Sequence, residues 1–307
     1  LSDAELAALI GKSEADLTQT VNASGIWRCS WNNLPKKSGG QPVTYSAEEI
    51  GVPEEYTSTS SSDIPNFVFV TNTHTPETVD ITINKEWIDS DNQDGIRPTG
   101  GVSGVLYEKA GGGAITPLRS FAITGDSVTI SGLPKYESGQ EITYYVSENA
   151  VSGYTLSVEG VTAETVSGVN VYPVSGNSIT LTNTHTPATQ DYTASFTWDD
   201  NNDRDGQRPD SFTVTLTGTV SGKDETAYTF TLNVDKDGVK SVRTTDPVLP
   251  GGATAAVEAG QLKIIGLPAY DDGDMISYTM GNLEIYNDYS SSITGYTQTS
   301  TAFRLSY

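Results

Sequence analysis

Cysteine and positive charge are both scarce in this sequence. Cys29 is the only cysteine, so no disulfide can form within the chain, and the usual covalent crosslink of small secreted domains is absent. Lys and Arg number 17 against 39 Asp and Glu, which gives a formal net charge of -22. That charge repels phosphate backbones and anionic headgroups, and it therefore argues against binding to nucleic acid or to a membrane surface.

Long apolar runs are absent, and histidines are few. No run approaches the ~20 residues of a transmembrane helix and no signal peptide opens the sequence, so any targeting or anchoring segment is expected outside this chain. The two histidines, His74 and His185, occupy matching places in two boundary segments, which does not support a two-histidine metal site or a Ser-His-Asp triad within one domain. We expect no metal, no cofactor and no turnover of a substrate.

The residues that are abundant favour β structure. Thr, Ser, Val, Ile, Tyr and Gly recur throughout, whereas stretches rich in Ala, Leu, Glu and Lys are few. One short helix is predicted at residues 2–9, where Asp3 and Glu5 fall in the first turn. The 307 residues suffice for two or three domains with their own cores, so the sequence predicts a mainly all-β protein.

Three signatures repeat along the chain and indicate an array of one kind of domain. A Trp-containing strand followed by an acidic loop that ends in Asp-Gly-x-Arg-Pro occurs twice, as do Gly-Leu-Pro-x-Tyr and Thr-Asn-Thr-His-Thr-Pro. The pairs of copies lie at residues 85–98 and 196–209, at 132–136 and 266–270, and at 71–76 and 182–187. Proline just past a strand suits a domain boundary, because it cannot continue the hydrogen-bond ladder.

Aligning the signatures predicts three domains. Residues 1–76 form a partial domain that lacks its first strands, residues 77–187 a complete domain, and residues 188–307 a third domain joined by a short linker. The last five residues resemble residues 67–71, which predicts that the third domain is truncated before the Asn of its closing strand.

Strand alternation in the complete domain places three polar side chains in the core. Residues two apart on a strand share a face, so the apolar members of a strand identify its buried side. On this criterion Lys85, Glu148 and Asn183 all point inward. Their apolar neighbours of the same parity are Val79, Ile81, Ile83 and Trp87 for Lys85, Ile142, Tyr144 and Val146 for Glu148, and Ile179 and Leu181 for Asn183.

Burial gives these side chains a reactive form. A low-dielectric core favours a neutral amine and a neutral carboxylic acid. A neutral Lys85 amine is a nucleophile, the Asn183 carboxamide is an electrophile, and a protonated Glu148 can polarise the carbonyl and shuttle protons while ammonia leaves. The product would be an amide between the first and last strands. The alternation alone leaves equally open a buried Lys-Glu ion pair beside Asn183 with no covalent bond.

The combined motifs resemble the collagen-adhesin B-type (CnaB-like) domain of Gram-positive surface proteins. The motifs that carry the resemblance are Lys85-x-Trp87, the loop ending at Pro98, Gly-Leu-Pro at 132–134, Tyr144-x-Val146-x-Glu148, Gly153-Tyr154 and residues 182–187. The resemblance implies tandem Ig-like β-sandwiches of the reverse-Ig type. It also implies an isopeptide bond from Lys85 to Asn183, formed with the help of Glu148.

The other two domains depart from this pattern. The first keeps Glu49 and Asn72 as a half-site, but it has no opening strand to supply a lysine, so a bond there would need a lysine from outside this chain. In the third domain, Phe196 stands in place of the Lys and Asn282 in place of the Glu. We expect that domain to be held by packing alone.

Two further features, the acidic loops and the surface tyrosines, could be either binding sites or purely structural elements. The acidic loops at 89–95 and 199–206 superficially resemble calcium loops, but no bidentate Glu follows at the required spacing, and we interpret them as acidic turns. Surface tyrosines such as Tyr145 and Tyr289 could line a contact with a glycan or a host protein, although exposed tyrosine is common in strands.

The sequence thus predicts a structural protein. The preferred interpretation is an extracellular stalk or pilus-like fibre segment on a bacterial cell surface, attached to the cell wall by an anchor outside this chain, with neighbouring domains or subunits as partners. The alternatives are a module that binds a host protein or glycan and an accessory region of a larger surface enzyme. Whether such chains polymerise is left open, because the sequence has no sortase signal and no obvious pilin crosslinking lysine.

Overall fold

The computed structural model describes residues 2–21, 27–285 and 289–307. The chain forms two compact units, Leu1–Pro76 and Glu77–Tyr307. Within the described residues, no helix is long and apolar enough to cross a membrane.

The described residues of the first unit form one helix, one 3₁₀ turn and four strands. Their bounds are α1 Asp3–Ile10, the turn Glu14–Leu17, β1 Lys37–Ser38, β2 Gln41–Pro42, β3 Thr57–Ile64 and β4 Phe67–Thr73. The predicted helix is present. The Ser2 hydroxyl accepts a hydrogen bond from the Glu5 amide, and the Glu5 carboxylate accepts one from the Ser2 amide, which satisfies two backbone donors at the helix start. Gly11 ends the helix in a left-handed conformation.

The second domain is a two-layer sandwich. Its strands are β5 Thr78–Ile88, β6 Val102–Ala110, β7 Thr116–Ile123, β8 Ser127–Pro134, β9 Tyr136–Glu137, β10 Gln140–Glu148, β11 Thr155–Ser157, β12 Glu164–Val166, β13 Val169–Pro173 and β14 Ser178–Thr184. One sheet has the order β11-β14-β5-β8, and the other has the order β12-β13-β10-β6-β7 with β9 paired to β10. Alternate residues such as Ile81, Ile83 and Leu181 are at most 2% exposed and fill the space between the sheets.

The third domain repeats this architecture. Its strands are β15 Thr189–Asp199, β16 Ser211–Thr219, β17 Thr226–Asp235, β18 Gly238–Asp246, β19 Thr254–Glu258, β20 Gln261–Pro268, β21 Tyr270–Asp271, β22 Asp274–Met275, β23 Ser277–Glu284, β24 Ser290–Thr297 and β25 Ser300–Ser306, with a 3₁₀ turn at Pro250–Gly252. The sheets have the orders β19-β20-β15-β25-β24 and β18-β17-β16-β23. Phe212, Val214 and Leu216 alternate with threonines along β16 and are fully buried, as a half-buried strand requires.

The opening and closing strands of each sandwich are parallel neighbours. In the second domain Leu181 of β14 lies opposite Lys85 of β5, and in the third domain Phe303 of β25 lies opposite Phe196 of β15. This register makes Leu305 the counterpart of Asn183. The prediction that the third domain ends before the Asn position is therefore wrong: the closing strand is present, and Leu305 occupies that position. The last five residues resemble residues 67–71 because apolar residues alternate in both segments. That match is out of register with the pairing of the closing strand.

Candidate functional site

The strand register brings Lys85, Glu148 and Asn183 together in the core of the second domain. Lys85 lies on β5 and Asn183 on the adjacent parallel strand β14, in the same sheet. Glu148 is the last residue of β10 in the facing sheet, where it pairs with Gly104 of β6. The inward orientation predicted from strand alternation is confirmed, because the Lys85 and Glu148 side chains are 1% and 2% exposed and Asn183 is 1% exposed.

Lys85 is held by backbone acceptors of its own sheet. Its Nζ atom donates hydrogen bonds to the carbonyl oxygens of Leu181, at 2.8 Å, and Glu86, at 3.1 Å. The same atom lies 4.5 Å from the centre of the Trp87 ring. Burial lowers the pKa of the Lys85 amine below its ordinary value, although the nearby Glu148 carboxylate acts in the opposite direction. The neutral, nucleophilic form is therefore more accessible than in an exposed lysine.

Glu148 contacts both other members of the site. Its Oε2 atom lies 3.6 Å from Lys85 Nζ, and its Oε1 atom accepts a hydrogen bond of 2.7 Å from Asn183 Nδ2. Within the described residues, Glu148 Oε2 and Asn183 Oδ1 are buried without a hydrogen-bond partner. Unpaired buried oxygens are costly, so this arrangement has free energy to gain from a rearrangement that removes or satisfies them.

The geometry suits acyl transfer from an amide to an amine. One carboxyl group touches the nucleophile through one oxygen and the leaving nitrogen through the other. A single acid-base residue can therefore accept a proton from Lys85 and deliver one to Asn183. The surrounding core excludes water, which would otherwise compete as a nucleophile.

The half-site predicted in the first unit lies on its surface. Glu49 Oε2 accepts a hydrogen bond of 3.2 Å from the Ser58 hydroxyl, and Ser58 of β3 pairs with Asn72 of β4. The two residues are thus brought near one another, but both are exposed. The burial that lowers the pKa of Lys85 in the second domain is therefore not found around this exposed pair.

The third domain has a hydrocarbon core where the second has the polar site. The Phe196 ring stacks on Phe303 with centroids 5.5 Å apart, and Leu305 is fully buried in the place of Asn183. Asn282, the residue matched to Glu148, is exposed and has a φ of 46° at an irregularity in the pairing of β23 with β16. The irregularity turns Asn282 out of the core.

Each acidic loop contains an Asp carboxylate that accepts hydrogen bonds from an Arg and a Tyr side chain. We call this arrangement the clamp; the sequence patterns did not predict it. In the second domain, Asp89 accepts hydrogen bonds from Arg97 Nε (3.0 Å) and Nη2 (2.5 Å) and from the Tyr154 hydroxyl (2.8 Å), beneath the Trp87 ring. Burial opposes the ionised form of Asp89, but the bonds from Arg97, from the Asn92 amide and from Tyr154 prevail and hold its pKa at about 2. We call residues 89–97 the clamped loop of the second domain.

The third domain has the same clamp in residues 200–208, its own clamped loop. Asp200 accepts hydrogen bonds from Arg208 Nε at 2.8 Å, from Arg208 Nη2 at 2.7 Å and from the Tyr289 hydroxyl at 3.0 Å, with Trp198 beside them. The interpretation of these loops as acidic turns fits this structure, because the central carboxylate is used by an arginine. The repeated spacing of Asp and Arg was the available signal in the sequence.

The two tyrosines considered for a binding surface are both covered. Tyr145 is 4% exposed, packs with Tyr107 and Val171, and donates to Glu164. Tyr289 is 9% exposed. The prediction that they could form an exposed contact was therefore wrong, because β12 and β13 extend the sheet beside Tyr145 and the clamp engages Tyr289.

The fold and the buried site together define tandem β-sandwich repeats with a polar triad in one core. Comparison with known proteins gives the family: Cna protein B-type domains match residues 6–73, 81–184 and 192–301, and the chain belongs to that family. The resemblance inferred from the motifs is thereby confirmed, and the chain consists of three such domains.

Two comparisons with individual proteins agree. The chain is 32% identical over 276 residues to a collagen adhesin of Staphylococcus aureus, covering 89% of this chain and 21% of the relative. It is 25% identical to the crystal structure of two B repeat units of the S. aureus collagen binding protein, with a TM-score of 0.52 over 93% of this chain and 63% of that one. The chain thus spans about a fifth of the length of that adhesin.

Proposed function

We propose that this chain is a structural stalk segment of a bacterial surface protein, and that its second domain forms an intramolecular isopeptide bond between Lys85 and Asn183. The observation that carries the proposal is the position of Glu148, whose carboxyl oxygens lie 3.6 Å from Lys85 Nζ and 2.7 Å from Asn183 Nδ2 in a site closed to solvent. Membership of the B-type repeat family supports the stalk role.

The reaction begins with transfer of one proton from Lys85 to Glu148, which makes both groups neutral. The Lys85 nitrogen then attacks Cγ of Asn183, and the Nζ–Cγ bond forms as the Cγ–Nδ2 bond breaks. Glu148 gives its proton to Nδ2 and takes one from Nζ, so ammonia leaves and the carboxylic acid is regenerated. The second domain reacts only once, so this is self-modification and not turnover of a substrate.

The position of the bond supports a mechanical role. It would join β5 and β14, the first and last strands, which are already hydrogen-bonded as parallel neighbours. A pulling force enters the domain through one of these strands and leaves through the other. A covalent link between them would let the force bypass the rest of the sandwich.

We also propose the domain boundaries, the location and the partners of the segment. The domains divide at residues 76 and 187, the segment is extracellular, and its partners are the neighbouring domains of the same surface array. Glu49 and Asn72 would react only if a lysine from outside this chain were brought between them.

Intact mass spectrometry tests the bond. The purified chain is expected to weigh less than its sequence by one ammonia, and fragmentation should join the peptides that contain Lys85 and Asn183. Lys85→Ala and Glu148→Ala should each restore the full mass, whereas the control Lys109→Ala should keep the loss. A full unmodified mass in the natural chain would refute the bond, and a rapid loss of ammonia in Glu148→Ala would refute the role of Glu148.

A further inference from the structure

The clamped loop of the second domain contacts the third domain and its linker through three consecutive residues. The Gln93 carbonyl accepts a hydrogen bond of 3.0 Å from the amide of Gly273, in the turn between β21 and β22. Asp94 Oδ2 accepts one of 2.8 Å from the amide of Ala188, in the linker before β15. A side chain at Gly95 would overlap the backbone of Gly273. A movement of Asp94 would therefore disturb all three contacts, because its two chain neighbours make the others.

His185 lies beside this junction, at the start of the linker. Its backbone amide donates a hydrogen bond of 2.8 Å to the Ile88 carbonyl, just past the end of β5. Its Nδ1 atom lies 2.9 Å from the Gly153 carbonyl oxygen, and its Nε2 atom lies 2.9 Å from Asp94 Oδ2. The His185 and Asp94 side chains are 17% and 8% exposed, so water has little access to the pair.

Both ring nitrogens of His185 face oxygen atoms, and only the imidazolium satisfies them together. The imidazolium has two N–H donors, whereas the neutral ring has one donor and one acceptor. Loss of the proton would leave a ring lone pair facing either the Gly153 carbonyl or the Asp94 carboxylate at 2.9 Å. Two acceptors repel one another at that distance, so the neutral ring does not fit the place that it occupies.

The Asp94 carboxylate depends on the same proton. Its Oδ1 atom is buried and has no hydrogen-bond partner among the described residues, so the contacts of the group are made by Oδ2. Without the imidazolium, Oδ2 would keep the amide of Ala188 but would lose its counter-charge. A buried carboxylate without a counter-charge is strongly destabilised, and turning out into water relieves it. That rotation would release the linker.

The charged groups around His185 are mostly acidic and favour the imidazolium. Besides Asp94, the clamped loop contributes Asp89, which stays ionised because hydrogen bonds hold its pKa at about 2 despite burial, and Arg97, which is paired with it. The Tyr154 ring lies 5.5 Å from the imidazole and stays neutral, because burial raises its pKa to about 12. Residues 186–188 of the linker have no ionisable side chain. The turn that holds Gly273 adds the carboxylates of Asp271, Asp272 and Asp274.

We propose that His185 is a pH-sensitive latch of the junction between the second and third domains. Protonated, it holds Asp94 and keeps the two domains in one orientation; neutral, it releases Asp94 and lets them move relative to one another. The hydrogen bond to Asp94 raises the pKa of His185 above its ordinary 6.5, although partial burial opposes this. The latch is therefore closed below about pH 6.5 and opens as the pH rises through the higher folded value. Lys85, Glu148 and Asn183 take no part in it, so the proposal goes beyond the isopeptide bond and does not depend on it.

Spin-label distances across the junction test the proposal in the whole chain. In a Cys29→Ser background, labels at Gly112→Cys and Ser221→Cys report the positions of the second and third domains from two exposed turns. Distances are measured from about pH 5.5 to about pH 9.5, and the imidazole of His185 is titrated by NMR in the same protein. The distance distribution should be one narrow peak at the acid end. It should broaden as the pH rises, with the same midpoint as the imidazole titration.

Three variants accompany the titration. His185→Gln keeps a polar side chain that cannot become charged, so its distribution should no longer change with pH, and Asp94→Asn should lose the response too. The matched control is His74→Gln, which removes the histidine of the equivalent motif at residues 71–76 and should leave the response unchanged.

The natural chain decides the matter even if a variant does not fold. A distribution that is the same at both ends of the pH range, or that is already broad at the acid end, would overturn the proposal. It would also be overturned by a midpoint that departs from the imidazole titration, or by a response that persists in His185→Gln.

Discussion

Replacing Glu148 by Gln should separate the stability given by the proposed bond from that given by packing. Gln has nearly the same shape as Glu and keeps a carbonyl oxygen to accept the hydrogen bond from Asn183 Nδ2. It cannot, however, take up and deliver a proton. The variant should therefore fold with an intact core and with Lys85 and Asn183 unjoined.

The size of the effect follows from the loop that the bond closes. Lys85 and Asn183 lie almost at the two ends of the domain, and a crosslink around about 100 residues removes about 4.7 kcal/mol of unfolded-state entropy. A change of 1 kcal/mol shifts the melting temperature of a domain of this class by about 4–8 °C. The second domain of Glu148→Gln is therefore expected to melt roughly 20–40 °C below the natural one.

Differential scanning calorimetry measures this shift, with the third domain as an internal reference. The third domain has a hydrocarbon core around Phe196 and Leu305, so its transition should not move. Lys85→Met gives a second uncrosslinked variant, in which a flexible apolar side chain replaces the amine. If the natural chain has lost ammonia but melts within a few degrees of both variants, then the entropic argument is wrong.

Two further predictions concern groups around the clamped loop. The Asp94 hydrogen bond raises the pKa of His185 above its ordinary 6.5, despite partial burial, so the stabilisation from this pair is fully present below about pH 6.5 and is lost as the pH rises through the higher folded pKa. An NMR titration of the imidazole should show this raised pKa and its return towards 6.5 in Asp94→Asn; an ordinary pKa in the natural chain would contradict the Asp94 contact. Tyr154→Phe removes one hydrogen bond to the Asp89 carboxylate and should lower the free energy of unfolding of the second domain by about 1–2 kcal/mol in urea titrations. Tyr289→Phe should cost the third domain a similar amount, and no effect of either change would show that the hydroxyls do not support the clamps.

Strand alternation located the buried triad because the strands are regular where it lies. The pairing of β10 with β6 runs without interruption from Ile142 to Glu148, and β14 follows β5 residue by residue from Ser178 to Thr184. A period of two then assigns each side chain to the correct face. The same rule failed at Asn282, because the irregular pairing of β23 shifts the side chain to the other face.

Contacts beyond a single strand were harder to predict. Tyr145 does point away from the main core, as its parity requires, but it is buried by a second small cluster with Tyr107 and Val171. The clamp depends on a loop with three consecutive left-handed residues, a conformation that Asn and Asp tolerate but that no sequence pattern specifies. Propensity and alternation describe one strand at a time, whereas these features arise from the way that loops and added strands fold back on the sheets.

The second domain has both the polar triad and the clamp, whereas the third domain has only the clamp. It has lost the lysine, the asparagine and an inward carboxylate, yet it keeps Asp200, Arg208, Tyr289 and Trp198 in the geometry of the clamp. A hydrocarbon core can replace a polar triad inside a sandwich without changing its outer shape. The reason is that an unreacted buried ion pair contributes little more to the free energy of folding than apolar side chains packed in its place. The loop of the second domain also contacts the next domain and its linker, through the Gln93 carbonyl, the Asp94 carboxylate and Gly95. The stability that the core gives to each domain can therefore differ between the second and third domains, although both keep the same clamp.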